Sequence, residues 1–535
     1  MPRQLIDRNA NVILIYGAWP DPRGGGILSV VHDQILALNE LHQTVLLICS
    51  ASSIDHTAAE SSIFLAHIPS GRPFNWKKAV SEMISFGSFE ELAQADRSGW
   101  TGFVGLNLDQ VSIIHSHSDT IIPRDEAGER KTNDYVTLLE HIEHTYGRRP
   151  KLVRTRHEDL HGTLDRLMRL TGIDYVELNS DHRQVLLDGG IDLEHIVARH
   201  TADHRRELIA QGWNEDYTDA AIHHVWFAIS QLRLWQREQA DADMIVSLGD
   251  ASSQQLKSLL PGDFHKHRYV YNGTSFLNRD RARIDRLLYD YHVNRGLACY
   301  RGGAKRKERI SFSPHNQKVV FVGRDDISKG VNELVLALRD LYHGGYSNVR
   351  AIIVGRFSQE RRQQLCQHDP QCAPDYLLFT GWVADADELA SILAFGNVTA
   401  IPSHYDSFNL VGCESYLMGT PCVVTERIGA AEVYLTNPAR HSVQIALPVR
   451  KPFATGPNRF FGVDVTSLAS QLATILDDDH LAISLSEEGR KFVETHYSYR
   501  EMGKRYLDIY LSLLKDPSCQ SAISKHKGTT SHAHE

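Results

Sequence analysis

Two series of alternating strands and helices, parted by an Arg-rich stretch, predict an α/β protein of two Rossmann-like, doubly wound domains. The first observation is the opening order of strand, glycine-rich loop, helix and strand. Asn11 to Tyr16 is apolar, Gly17 to Gly26 holds two Pro and three successive Gly, and Ile27, Val30, Val31, Ile35, Leu38 and Leu41 recur at helical spacing before the strand Thr44 to Cys49. The second observation is a renewed alternation from Lys318 onward. The third is the junction Ile401 to Glu414, where a strand runs into a helix carrying two acids.

In the first series, further strands are expected at Ser112 to His115, Lys151 to Thr155, Met244 to Ser247 and Tyr269 to Tyr271. Between them, residues 158–239 are rich in charge and His, with helical patterns such as Ala220 to Gln236, and read as a helical insertion shaping the acceptor side. The second series has strands at Val319 to Val322, Arg350 to Val354, Tyr376 to Thr380, Val398 to Ile401 and Pro421 to Thr425. Its helices are Val331 to Leu341, Gln359 to Cys366, Leu389 to Phe395 and Leu410 to Met418. The expected organisation is a first domain over 1–275, a linker over 276–316 and a second domain over 317–497. A helix over 498–514 and a polar tail over 515–535, read as disordered, follow. No internal repeat is visible beyond the two domains.

Composition narrows the class. The 535 residues are 42% hydrophobic and 23% charged, enough for two sizeable cores. A net charge of −9 argues against a nucleic-acid partner. No apolar run reaches membrane-spanning length, and charges near the N-terminus stand where a signal peptide needs its apolar core, so a cytoplasmic chain is expected. No basic amphipathic helix marks a lipid surface, so membrane contact is allowed but not indicated. The seven scattered cysteines match no zinc spacing and read as reduced structural thiols.

The chemistry concentrates after the strand ending at Ile401. Asp406 and Glu414 stand eight positions apart, which predicts one acid at the mouth of a cleft and the other about two turns into the helix. Amides of the first helical turn suit a bound diphosphate. Earlier in the same series, Gly323-Arg324-Asp325-Asp326-Ile327-Ser328-Lys329-Gly330 follows a strand and sets two cations at the carboxyl edge of the sheet, where open α/β folds bind ligands. Arg can grip two phosphate oxygens, and Lys acts as a point charge.

With these pieces in hand, the chain resembles a retaining glycosyltransferase of family 4 (glycosyl transferases group 1), with the GT-B fold of two facing Rossmann-like domains. The resemblance rests on an ordered series: Gly24-Gly25-Gly26, Ile114-His115-Ser116-His117, Thr155-Arg156-His157, Tyr271-Asn272-Gly273, Val322-Gly323-Arg324 with Lys329-Gly330, Phe379-Thr380-Gly381-Trp382-Val383, Pro402-Ser403 with Asp406 and Glu414, and Gly419-Thr420-Pro421.

That resemblance implies roles. Arg324 and Lys329 would neutralise the donor diphosphate and help it leave, with the amides after Phe408, at Asn409, Leu410 and Val411, assisting. Glu414 would bind the ribose, Asp406 would hold the donor sugar, and Gly381, Trp382 and Val383 would line the base pocket. Gly25 and Gly26 would let the backbone approach the donor phosphates, and His157 would sit beside the reacting sugar. Glu432 stands where the family often has an acid near that sugar. The implied reaction moves a sugar from a UDP- or GDP-sugar to a hydroxylated acceptor with retention, with no cofactor and no metal. A small polar metabolite, an aminosugar or a polysaccharide precursor fits as acceptor. Two departures stand out: Asp406 replaces the usual Glu, and Ser407-Phe408-Asn409-Leu410 replaces Gly-Phe-Gly-Leu. Asn tolerates the left-handed backbone that Gly would allow, and its side chain could touch the sugar. They motivate a second reading, a non-catalytic relative that binds nucleotide-sugar.

Other motifs read more plainly. Asp241-Ala-Asp243 and Asp385-Ala-Asp387 match a metal-binding Asp-x-Asp, a pattern short enough to arise by chance, and Asp385 and Asp387 precede a helix whose N-terminus favours acids. His115 and His117 are expected on opposite sides of their strand, one toward the cleft and one in the core. His157 has a plain alternative as a core or surface histidine, and Trp19 either stacks on a sugar or anchors its loop. A dinucleotide oxidoreductase is disfavoured, because no Gly-x-Gly-x-x-Gly follows either first strand.

Overall fold

The computed structural model describes residues 11–16, 27–50, 63–68, 82–87, 89–100, 108–117, 135–157, 242–259, 264–426, 428–435, 444–450 and 463–515. Its strands form two eight-stranded sheets. In the first, β1 (Asn11–Tyr16), β2 (Val45–Ser50), β3 (Ile63–Ile68), β4 (Ile84–Phe86), β5 (Val111–Ser116), β6 (Lys151–Arg156), β7 (Met244–Ser247) and β8 (His267–Tyr269) lie in the order β4-β3-β2-β1-β5-β6-β7-β8. All neighbours pair in parallel except β2 with β3 and β3 with β4. Strand order therefore reverses at β1, and ligands of open sheets bind at such a switch point.

The second sheet holds β9 (Leu297–Arg301), β10 (Glu308–Ile310), β11 (Gln317–Val322), β12 (Val349–Val354), β13 (Leu377–Gly381), β14 (Val398–Ile401), β15 (Cys422–Thr425) and β16 (Leu447–Val449), ordered β10-β9-β13-β12-β11-β14-β15-β16. Here the order reverses at β11, between β12 and β14. The loops leaving β11 and β14, which carry the predicted site, border that crevice. The central strands are buried on both faces. Val320 joins one apolar cluster, while Val319 and Phe321 join the other, as the two-residue period of a strand requires. Each such side chain contributes about 1.5–3 kcal/mol by leaving water.

Several elements differ from the sequence expectation. Residues 297–310, expected within a linker, supply two antiparallel strands to the second sheet. The helix Arg281–Tyr289 in the same stretch packs on Ala386–Phe395. Strands β3 and β4 had no counterpart in the expectation. The last helix, Tyr499–Lys515, crosses back to the first domain, burying Tyr506 and Tyr510 in its core and pairing Arg500 with Glu40. Gly503 makes this crossing close, since a Cβ there would lie 2.3 Å from the Ala37 methyl. The expected insertion at 158–239 lies outside the described residues, as does the tail beyond Lys515.

Candidate functional site

The loop after β11 is pinned against the segment after β14. His404 donates its backbone N–H to the Ser328 carbonyl at 2.7 Å, and its Nε2 meets Glu333 Oε1 at 2.6 Å. Gly330 closes the loop with φ +71°, and a Cβ there would stand 1.9 Å from the Pro402 carbonyl oxygen. Only glycine allows this approach. The result brings Lys329 to Asp406, with Nζ 2.6 Å from Oδ2 and both side chains mostly sheltered. Arg324 is not drawn in: its side chain is 80% exposed, and the nearest acid, Asp326, is 3.9 Å away.

Asn409 adopts the left-handed backbone expected of it, at φ 77°. Its Nδ2 donates to Asp406 Oδ2 at 2.9 Å, and its Oδ1 accepts the Gly412 N–H at 3.3 Å, so it caps the helix Leu410–Leu417. Asn is among the strongest residues at that position. The departure from Gly therefore adds a brace to Asp406 as well as a cap. Phe408, assigned to donor binding from the sequence, instead turns its ring into the core against Tyr271 and Tyr497. It lies where an apolar ring must go, and only its backbone is left at the loop. Leu410 packs against the apolar clusters of both domains.

Glu414 is the fifth residue of the helix, so it stands just over one turn in, rather than two. Burial pushes its carboxyl up to about 7; the positive Arg279 pulls against this and the negative Asp33 adds to it. Asp33 belongs to the first domain and accepts both the N–H and the hydroxyl of Ser275 at 2.6 Å. Glu414 thus sits where the two domains meet.

The facing wall comes from the carboxyl ends of β5 and β6. His157 is buried, and its Nε2 lies 2.9 Å from His117 Nδ1. His115 and His117 do not face opposite sides: their rings are 4.0 Å apart. Side chains alternate along a strand, so residues two apart share a face. His115 bonds Thr155 at 2.7 Å and the Tyr510 hydroxyl at 2.5 Å. Burial first, then neighbouring histidines, holds both His115 and His117 well below the usual range, and the rings are neutral. Gly25, Gly26 and Trp19 lie outside the described residues.

At the end of β13, Gly381 has φ +74°, Trp382 is exposed and Val383 packs on the core. The Arg356 guanidinium lies over the indole, 5.3 Å from its centre. The Asp-x-Asp patterns have structural work. Asp385 caps the helix Ala386–Phe395 and, with Asp387, pairs with Arg283. Asp243 accepts from the Leu152 N–H and from Lys151.

Glu432 spans the cleft. Its Oε1 accepts the Asp250 N–H of the first domain at 2.8 Å, and its charge, after burial, helps raise the Tyr271 hydroxyl. Gly249 makes room: a Cβ there would fall 2.4 Å from that oxygen. The family resemblance set this acid near the donor sugar, but nothing in a single chain marks Gly249 or Asp250 as its partners.

A pair of facing doubly wound sheets with this loop arrangement is the GT-B fold of glycosyltransferases. A sucrose-phosphate synthase from Thermosynechococcus elongatus superposes with a TM-score of 0.53 at 15% identity, covering 94% of this chain and 99% of that one. Residues 316–451 match the family described as "Glycosyl transferases group 1". The capsular polysaccharide biosynthesis glycosyltransferase CapM of Staphylococcus aureus is 21% identical over 38% of this chain and 47% of its own length. The putative glycosyltransferase YtcC of Bacillus subtilis is 25% identical over 64% of this chain and 79% of its own length. The chain thus spans about half of one relative and most of the other. These matches support a glycosyltransferase. No described helix is long and apolar enough to cross a membrane.

Proposed function

We propose that this chain transfers a sugar from a UDP- or GDP-sugar to a hydroxylated acceptor with retention of configuration. The observation that carries the reading is the convergence of Lys329, Asp406 and the capped N-terminus of Leu410–Leu417 at the switch point of the second sheet, with Glu414 one turn further on. A cation and the amides of a helix's first turn suit a diphosphate, and a carboxylate one turn deeper suits ribose hydroxyls.

In the reaction, the bond from the sugar's anomeric carbon to the departing phosphate oxygen breaks, and a bond from that carbon to the acceptor oxygen forms on the same face. The acceptor's proton passes to the leaving diphosphate. Lys329 offsets the charge that builds there, and Arg324, exposed beside Asp326, joins it on binding. Asp406 grips the sugar hydroxyls once the diphosphate draws Lys329 away, and His157 borders the reacting carbon. Trp382 and Val383 flank the base. Charge neutralisation by these side chains makes the reaction independent of a metal ion.

Assays of transfer and hydrolysis across UDP- and GDP-sugars test the proposal. Absence of both binding and turnover over a broad panel sinks it. The second reading, a nucleotide-sugar binder without turnover, is favoured by the way Lys329 and Asn409 already occupy Asp406. Tight binding with no product from any acceptor would select it.

A further inference from the structure

Among the described residues, one grouping of three His, Cys, Asp or Glu side chains brings its donor atoms within 4.8 Å of one another: His343, Asp369 and Cys372. We propose that these residues form a zinc site that clips together two loops on the far side of the second domain. The inference does not rest on the transferase reading.

Topology sets the location. His343 ends the helix that follows β11, and Asp369 and Cys372 precede β13. Both segments therefore lie at the amino edge of the parallel sheet, opposite the carboxyl edge that carries the donor loops. A metal held there lies away from the sugar.

The donors are already half assembled. His343 Nε2 and Asp369 Oδ2 stand 2.7 Å apart, sharing a proton that a metal replaces. Asp369 is buried and fixed: its Oδ1 accepts the Cys372 N–H at 3.2 Å, and the Tyr376 hydroxyl reaches Oδ2 at 3.4 Å. Outer partners of this kind orient a ligand. His343 is the mobile member, with a side chain 54% exposed at a helix end. Small rotations bring all three donors to the roughly 3.5 Å mutual spacing of a tetrahedral site, with water in the fourth place.

Donor chemistry selects the ion. One thiolate, one imidazole and one carboxylate favour zinc over the hard cations magnesium and calcium. Two anionic ligands balance the charge of the dication. A thiol must lose its proton to bind a metal, so binding releases that proton to solvent.

The test is titration of metal-stripped full-length protein with Co2+ as a spectroscopic stand-in, followed by Zn2+ competition. The expected result is one equivalent bound, with a thiolate-to-cobalt charge-transfer band that zinc abolishes. Cys372→Ser removes that band. His343→Gln, at an exposed position that leaves the fold intact, weakens binding by more than the ~10- to 100-fold typical of outer partners. No charge-transfer band in the wild type, an unchanged band in Cys372→Ser, or wild-type affinity in His343→Gln overturns the proposal.

Discussion

Lys329 Nζ lies 2.6 Å from Asp406 Oδ2, and Asn409 Nδ2 lies 2.9 Å from the same oxygen. The cation expected to meet the diphosphate is thus held by the acid expected to meet the sugar. A donor must break this pair, so its two ends enter as one event. Asp406→Asn releases Lys329. Nucleoside diphosphate should then bind as tightly as in the wild type or more tightly, by calorimetry, while transfer falls at least about tenfold. Weaker diphosphate binding would contradict the pairing.

Asn409 works through its backbone as well as its amide. Asn409→Gly keeps the left-handed turn and loses the cap and the brace to Asp406, the cap costing only a few tenths of a kcal/mol. Asn409→Ala loses the cap and strains the turn, costing ~2 kcal/mol. Chemical denaturation of the two variants reads the difference; equal losses would show that the turn is unstrained.

Glu414 sets a pH dependence. With its folded value raised to about 7 against an ordinary value of 4.5, the native state holds a proton that the unfolded chain has lost. Its stabilising contribution is present below about 4.5 and is lost as pH rises through about 7. Ribose binding calls for the carboxylate as an acceptor, so nucleotide affinity should climb from pH 6 to 8. Glu414→Gln should flatten both trends, and a nucleotide affinity in wild type that is level across this window would count against the assignment.

Gly249 tests the contact across the cleft. A methyl group at this position meets Glu432 at 2.4 Å and must displace it from the Asp250 N–H. Gly249→Ala should lower kcat while leaving nucleotide affinity unchanged, since the proposed nucleotide pocket belongs to the second domain. A matched loss of nucleotide affinity would place Glu432 in donor binding instead.

Much of this was legible in the chain because apolar runs buried on both faces announce themselves. Val398–Ile401, buried along its whole length, begins and ends where its residues predict. The short strands β9, β10 and β16 were not legible: three to five residues are too few to show a period, and β16 has a Pro at its centre. In the site, Lys329 and Asp406 were found through loop chemistry after strands, and the left-handed Asn409 through its residue type. The bond between them was hidden, because it depends on Gly330 letting two distant loops touch. Glu432 was noticed, but its partners Gly249 and Asp250 lie 182 positions or more away in sequence and carry no motif. The same holds for Phe408, whose place in the core depends on Tyr271 and Tyr497.

The central claim is that Lys329 carries donor chemistry at this junction. The most direct measurement is release of UDP or GDP, with formation of a glycoside, by wild type and Lys329→Ala over a donor panel. The account predicts turnover with at least one donor and a loss of about 100- to 1000-fold on removing the single cation. Wild-type turnover in Lys329→Ala, or no turnover and no nucleotide binding in the wild type, would contradict it.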